Sequence, residues 1–233
     1  LDSAASSQKP KVVIDAISKY YQTYNANVHR GVYQLSQEAT DAFEGGRRNI
    51  AQYINAAKEY EVILTKGTTE SINLVAHSFG QKFIKKGDII LVSEMEHHAN
   101  IVPWQLLCER TGAILEVIPL LKDGSLDLEV FDQKIGQGVK LLSIVHVSNA
   151  LGTINPVKEM VQKAHSFGVP VLIDGAQSIT HMEIDVQDLD ADFFVFSGHK
   201  LFGPTGVGVL YGKEKWLNEL PPYQGGGEMI KTV

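Results

Sequence analysis

The sequence predicts an α/β fold: a mixed, mainly parallel, seven-stranded sheet with helices on both faces. Three observations predict it. Seven short apolar runs recur along the chain, at residues 62–64, 89–92, 115–118, 141–147, 169–173, 193–196 and 207–211. Runs that are apolar on both faces suit strands covered on each side by helices. Helical patterns fall between several of these runs, the alternation expected of a parallel sheet. The last two runs are joined only by a short loop containing Gly and Pro. A parallel crossover needs about a dozen residues or more, so at least one of this pair runs antiparallel.

In chain order, the run at 62–64 leads into TKGTTESINLVA, residues 65–76. There Ile72, Val75, Ala76 and Phe79 repeat at i, i+3, i+4 and i+7, one face of a helix. After the run at 89–92 comes SEMEHHANIVPW, then a helix over residues 101–111 with Ile101, Trp104 and Cys108 on one face. The runs at 115–118 and 141–147 follow. Val157, Met160, Val161 and Ala164 mark the next helix, with Pro156 where it can begin and Gly168 where it can end. The runs at 169–173, 193–196 and 207–211 complete the sheet. No internal repeat or low-complexity linker divides the chain.

Composition narrows the function classes. A chain of 233 residues with 44% hydrophobic content can fill one large α/β domain. No segment approaches the roughly 18–20 continuous apolar residues of a membrane helix, and no signal-peptide pattern opens the chain. A net charge of −6 without a basic cluster argues against nucleic acid as the main partner. The single cysteine excludes an internal disulfide framework and fits a reducing compartment, so cytoplasm is the expected location.

In open α/β sheets, ligands bind where the strands' carboxyl ends meet helix N-termini. The polar residues just after each apolar run are therefore the candidates. Gly67, Thr68 and Thr69 open a helix directly after a strand, where exposed N–H groups and the helix dipole suit a phosphate. A plain threonine N-cap fits the same residues, and on this segment alone is the favoured reading. Asp174 ends a fully apolar strand, where an unpaired carboxylate is costly, so it needs a cation or strong donor. A helix-capping role fits it equally. Gln177 follows three residues later and can point into the same crevice.

Lys200 follows the apolar run at 193–196 within DFFVFSGHKLFGPTGVG, with Ser197 and His199 beside it. In a low-dielectric crevice the amine form of lysine is favoured, which makes it a nucleophile for carbonyl groups. A lysine for imine formation, an aspartate for a ring nitrogen and a helix start for a phosphate together describe a pyridoxal 5'-phosphate (PLP) site. No G-x-G-x-x-G or G-x-x-x-x-G-K-[ST] motif opens a helix, which argues against a nucleotide fold. His97, with His98 behind the run at 89–92, can lie flat against a cofactor ring. Adjacent histidines diverge and no further ligand spacing is present, so a metal site is a poor reading. Asn149 can bind a carboxylate or ring hydroxyl, or simply form a turn.

DSAASSQKP, NVHRG, KGTTESINLVA, MEHHANIVPWQ, HVSNALGT, DGAQ and FSGHKLFGPTG together resemble the cysteine desulfurases of the class V aminotransferase family. Many members of that group also act as selenocysteine lyases. The likeness runs through the whole chain and implies the PLP fold type I large domain, with an N-terminal arm over about residues 1–35. By position, it implies Lys200 as the lysine bonded to the cofactor and Asp174 as partner of the pyridinium nitrogen. It implies His97 stacked on the ring and assisting proton transfer, and Gln177 on the ring hydroxyl. Thr69, Ser197 and His199 would hold the phosphate with the backbone around Thr68, and Asn149 would lie near the ring hydroxyl and the substrate carboxylate.

The same resemblance implies L-cysteine or L-selenocysteine as substrate, a homodimer whose partner subunit reaches the phosphate, a sulfur-acceptor protein, and sulfur supply to iron–sulfur clusters. It places the sulfur-attacking cysteine and a carboxylate-binding arginine beyond residue 233, in a C-terminal small domain, so residues 1–233 alone are expected to turn over poorly. Cys108, on its apolar helix face, is expected to be a buried small hydrophobe rather than that nucleophile. The segment at 225–230 resembles an active-site loop of the family, and a flexible exit from the domain fits it too. Kynureninase-like and epimerase-like reactions are the alternatives on the same fold, and a non-catalytic, cofactor-binding fragment is a third reading.

Overall fold

The computed structural model describes residues 2–227 and 229. Its centre is a seven-stranded sheet of β1 (Val62–Thr65), β2 (Ile89–Ser93), β3 (Ile114–Ile118), β4 (Val139–Val145), β5 (Val171–Asp174), β6 (Phe193–Ser197) and β7 (Gly208–Gly212). In space the order is β1-β7-β6-β5-β4-β2-β3. Strands β3, β2, β4, β5 and β6 run parallel. β7 is antiparallel to both β6 and β1, so β1 points the same way as the other five. Six carboxyl ends therefore share one edge of the sheet. β4 ends at Val145, two residues short of the expected run, and Val147 instead makes an isolated bridge to Ile154.

Eight α-helices accompany the strands among the described residues: α1 (Lys11–Thr23), α2 (Gln34–Tyr53), α3 (Thr68–Phe83), α4 (Val102–Thr111), α5 (Leu128–Lys134), α6 (Val157–Ser166), α7 (Ser178–His181) and α8 (Glu214–Leu217). The sheet's two faces feed two separate cores, because successive strand residues point to opposite sides. Ile90, Val92, Leu141, Leu172, Phe193, Val195 and Leu210 pack with Ile72, Val75, Phe79, Trp104 and Leu107 of α3 and α4. Leu91, Leu142, Ile144, Ile173, Phe194 and Phe196 pack on the other side with Ala51 of α2, Phe131 of α5 and Met160, Val161 and Ala164 of α6. Both expected helical stripes are fully buried.

Local signals set the helix ends. Pro156 is the N-cap of α6, and Gly168 takes φ 72° just beyond it, a conformation glycine adopts without strain. Asp127 caps α5 by accepting the N–H groups of Glu129 and Val130. α4 buries Pro103, Trp104 and Leu107, so its inward face lies slightly off the expected one. Cys108 sits at the margin of that face, only partly buried, a correction to its expected full burial. No helix of the described residues is long and apolar enough to cross a membrane. Glu228 and Ile230 of the segment at 225–230 lie outside the described residues.

Candidate active site

Five of the carboxyl ends sharing one edge deliver polar side chains to a single cavity of about 220 Å³. Thr68 and Thr69 follow β1, His97 follows β2 and Asn149 follows β4. Asp174 ends β5, Gln177 starts α7, Ser197 ends β6, and His199 and Lys200 follow it. All nine residues singled out in the sequence line this one cavity, together with Ala5, Ala99, Val145, Val147 and Ala176.

The antiparallel β7 lies between β1 and β6, and the cavity depends on how it begins. Gly208 pairs with Thr65 on one side and Ser197 on the other. A Cβ at Gly208 would lie 2.3 Å from Gly67 Cα. Glycine at 208 thus lets the start of α3 pass close over β7 and reach β6. There Thr68 donates its N–H to Ser197 Oγ (2.8 Å), and the two hydroxyls are also 2.8 Å apart. The N-cap of α3 is Gly67, without a side-chain cap, so the favoured threonine N-cap reading is incorrect: the Thr68 side chain turns to Ser197 instead. The first turn of a 16-residue helix then opens towards the cavity, a setting that attracts anions.

Asp174 is 2% exposed. Among the described residues, the one hydrogen bond its carboxylate accepts is from the Ala176 N–H to Oδ1, at 2.9 Å. Burial pushes this carboxyl above its ordinary range, opposed by that N–H and by the charges of Lys200 and His97. Lys200 responds in the complementary way. Burial lowers its ammonium, while Asp174 and Asp2 pull it back up. A lysine so placed yields its amine more readily than one in water. Burial, then Lys200 and Lys9, also lower the His199 imidazole. His97 Nδ1 accepts the Ala99 N–H at 3.1 Å, which assigns the ring proton of the neutral form to Nε2.

Two neighbouring groups escaped the sequence reading. Glu96, beside His97, is buried and accepts hydrogen bonds from Ser93 Oγ (2.5 Å), Asn100 Nδ2 (2.6 Å) and the Val145 N–H (2.8 Å). Burial nevertheless pushes its carboxyl up to about 8. Asn100 passes the network on, accepting from Trp104 Nε1 and Ser143 Oγ. This network ties the His97 turn to β4 and α4. The second group is residues 2–9, which cross the cavity's edge. Gln177 Nε2 donates to Ala4 O at 2.9 Å, and Ala5 lines the wall. The signals were present in EHHAN and in DSAASSQKP, but several of their partners lie on distant segments.

The arrangement suits PLP on its own terms. A buried carboxylate with one backbone donor in a cavity is matched by a protonated ring nitrogen. A helix start beside Ser197, His199 and Lys200 is matched by a phosphate. Cys108 is not among the cavity's lining residues, and burial raises its thiol, which disfavours the thiolate. No group of three or more metal-ligating side chains gathers among the described residues.

Comparison with known proteins agrees with this geometry. The chain is 54% identical over all 233 residues to a cysteine desulfurase of Pectobacterium atrosepticum, of which it covers 57%. It superimposes with a TM-score of 0.95 on the apo structure of a cysteine desulfurase from Thermococcus onnurineus NA1, at 45% identity, covering all of this chain and 57% of that one. With the Escherichia coli cysteine desulfurase CsdA, in its S-sulfonic acid form, the TM-score is 0.92 at 41% identity, over all of this chain and 58% of the other. The chain therefore spans little more than half the length of these relatives. The architecture is that of the PLP fold type I large domain. Residues 1–233 match the aminotransferase class-V family from end to end, and the chain belongs to that family.

Proposed function

We propose that this chain is the cofactor-binding large domain of a PLP-dependent cysteine desulfurase, converting L-cysteine to L-alanine and an enzyme-bound persulfide. One observation carries the reading: Asp174, Lys200 and the start of α3 face a single cavity in a chain more than half identical to a cysteine desulfurase. When bound, PLP supplies an aldehyde that condenses with a primary amine, releasing water, and an electron-accepting ring that weakens bonds in an attached amino acid.

The chain's own residues supply binding and proton handling. Asp174 holds a proton on the ring nitrogen by offering a desolvated negative charge. Lys200 provides the condensing amine, kept reactive by its partial burial. His97 stacks against the ring and carries protons at Nε2. Gln177 and Asn149 contact the ring hydroxyl, with Asn149 also near the substrate carboxylate. Ser197, Thr69 and His199 bind the phosphate with the N–H groups around Thr68. The apolar walls of Val145, Val147 and Ala176 exclude water from the ring.

The same reading extends to the whole protein: a cytoplasmic homodimer, acting on cysteine or selenocysteine, passing sulfur to an acceptor protein for iron–sulfur cluster assembly. Its cysteine nucleophile is not Cys108. The test is to incubate the full-length enzyme with PLP and L-cysteine and measure alanine and persulfide. Stoichiometric alanine with persulfide supports the assignment; alanine released from kynurenine-type substrates and not from cysteine contradicts it. In parallel, borohydride reduction followed by peptide mapping should place the label on Lys200.

A further inference from the structure

Lys200 sits in a tight loop whose backbone is held largely from outside. Within the loop, Leu201 and Gly203 donate their N–H groups to Gly198 O at 3.0 and 2.8 Å. Phe202 takes φ 59°, a left-handed value unusual for a bulky side chain. Such a conformation persists only where its surroundings fix it. Thr180 Oγ1 donates to Lys200 O at 3.0 Å. Gly198 donates its N–H to Val207 O at 2.8 Å, and the remaining anchors come from the N-terminal strap, some 190 residues away in sequence.

Ser7 is 7% exposed and grips the loop on both sides of Lys200. Its N–H and its Oγ each donate to His199 O at 3.0 Å. The same Oγ accepts the Phe202 N–H at 2.8 Å. Lys9 Nζ adds a third donor to His199 O at 2.9 Å and also bonds Ser7 O. With Ser6 Oγ at 3.5 Å, the carbonyl immediately before the lysine thus collects four protein donors, all from the strap. Ala4, Ala5 and Ser6 of the strap are exposed, so its attachment here rests on these bonds rather than on core burial.

We infer that Ser7, assisted by Lys9, is a positioning residue for Lys200: by fixing His199 O and the Phe202 N–H it sets the direction in which the Lys200 amine enters the cavity. The inference rests on the reading of Lys200 as the lysine that condenses with PLP, its amine displacing the aldehyde oxygen as water. Misplacing a reacting atom by about 1 Å can cost about 100-fold in rate. A partial loss of alignment is expected to cost about tenfold or more.

The test uses the full chain and PLP alone. Borohydride trapping over time, with peptide mapping, gives the rate of covalent attachment at Lys200. Ser7→Ala should slow that rate by about tenfold or more, and Ser7→Thr, which keeps the hydroxyl, should restore most of it. Asp127→Ala, which removes the cap of α5 at a residue that does not line the cavity, should lower the melting temperature and leave the attachment rate unchanged. Attachment by Ser7→Ala at the wild-type rate, or an equal slowing in Asp127→Ala, would overturn the inference. If Ser7→Ala does not fold, Lys9→Met against Lys9→Arg decides: slower attachment in Met, recovered in Arg, supports the role, and equal rates in both oppose it. Wild-type protein that never labels Lys200 rejects the underlying reading itself, a distinct result.

Discussion

Asp174 and Asp192 are both buried carboxylates at the ends of central strands, one at the carboxyl end of β5 and the other just before β6 at the opposite edge. Asp192 is fully enclosed by donors. His165 Nε2 bonds it at 2.6 Å, Trp216 Nε1 at 2.7 Å and the Val171 N–H at 2.9 Å, with Lys215 at 3.1 Å and Lys213 at 3.5 Å. Burial alone would raise its carboxyl, yet these partners hold it well below the ordinary range. Asp174 has one backbone donor and is pushed the other way. The same residue type on the same sheet is thus satisfied at one edge and left wanting at the other. A satisfied buried charge serves the fold; an under-satisfied one facing a cavity marks a site that awaits a ligand.

The contrast can be broken most severely at Asp192. Asp192→Asn should cost about 3–5 kcal/mol of stability, because it strands cationic and N–H partners in the interior. Urea unfolding measures the loss. Asp174→Asn should cost less than about 1 kcal/mol by the same assay, since the amide oxygen can still accept the Ala176 N–H and the substitution relieves a buried charge. Equal costs would erase the distinction. For PLP affinity the ranking should invert. Asp174→Asn should weaken binding by about 2–3 kcal/mol in a spectroscopic titration, the scale of a hydrogen bond to a charged group, whereas a folded Asp192 variant should bind normally.

Gly208→Ala sharpens the account of the edge itself. The added Cβ meets Gly67 backbone, so a cost of about 1–3 kcal/mol is expected, with weaker phosphate binding as α3 is displaced. The smallest effect concerns pH. The hydrogen bond to Asp192 raises His165 above its ordinary value, against the opposing effect of burial. A raised folded pKa contributes stability that is complete below the unfolded value, about 6.5, and disappears as pH rises through the folded one. Stability should therefore decline across that window, and the decline should vanish in His165→Gln. Asp192 works in the opposite sense: its contribution is present above about pH 3.9 and is lost as pH falls through its depressed folded pKa.

The sheet was legible because each strand is a compact apolar run, from Val62–Thr65 to Gly208–Gly212. α3 and α6 were legible because their buried residues keep a helical period. α2 was not: it is mostly polar, carries Gly45 and Gly46 in its interior and buries only Ser36, Ala39 and Ala51. Tertiary contacts override that weak local signal. The nine polar residues of the cavity were legible because chemistry gathers after strand ends. Ser7 was not, because its partners His199 and Phe202 lie more than 190 residues away and only folding brings them together. Glu96 was hidden for a similar reason, since one of its three donors comes from β4.

The proposed role of Asp174 is to keep the cofactor's ring nitrogen protonated in a desolvated site. The direct measurement is the ¹⁵N chemical shift of ring-labelled PLP bound to the chain, followed as pH is raised from weakly acidic to weakly basic. A shift that stays at its protonated position in the wild type and moves to the deprotonated one in Asp174→Asn is the expected result. A wild-type ring nitrogen that titrates as it does in free PLP would contradict the account.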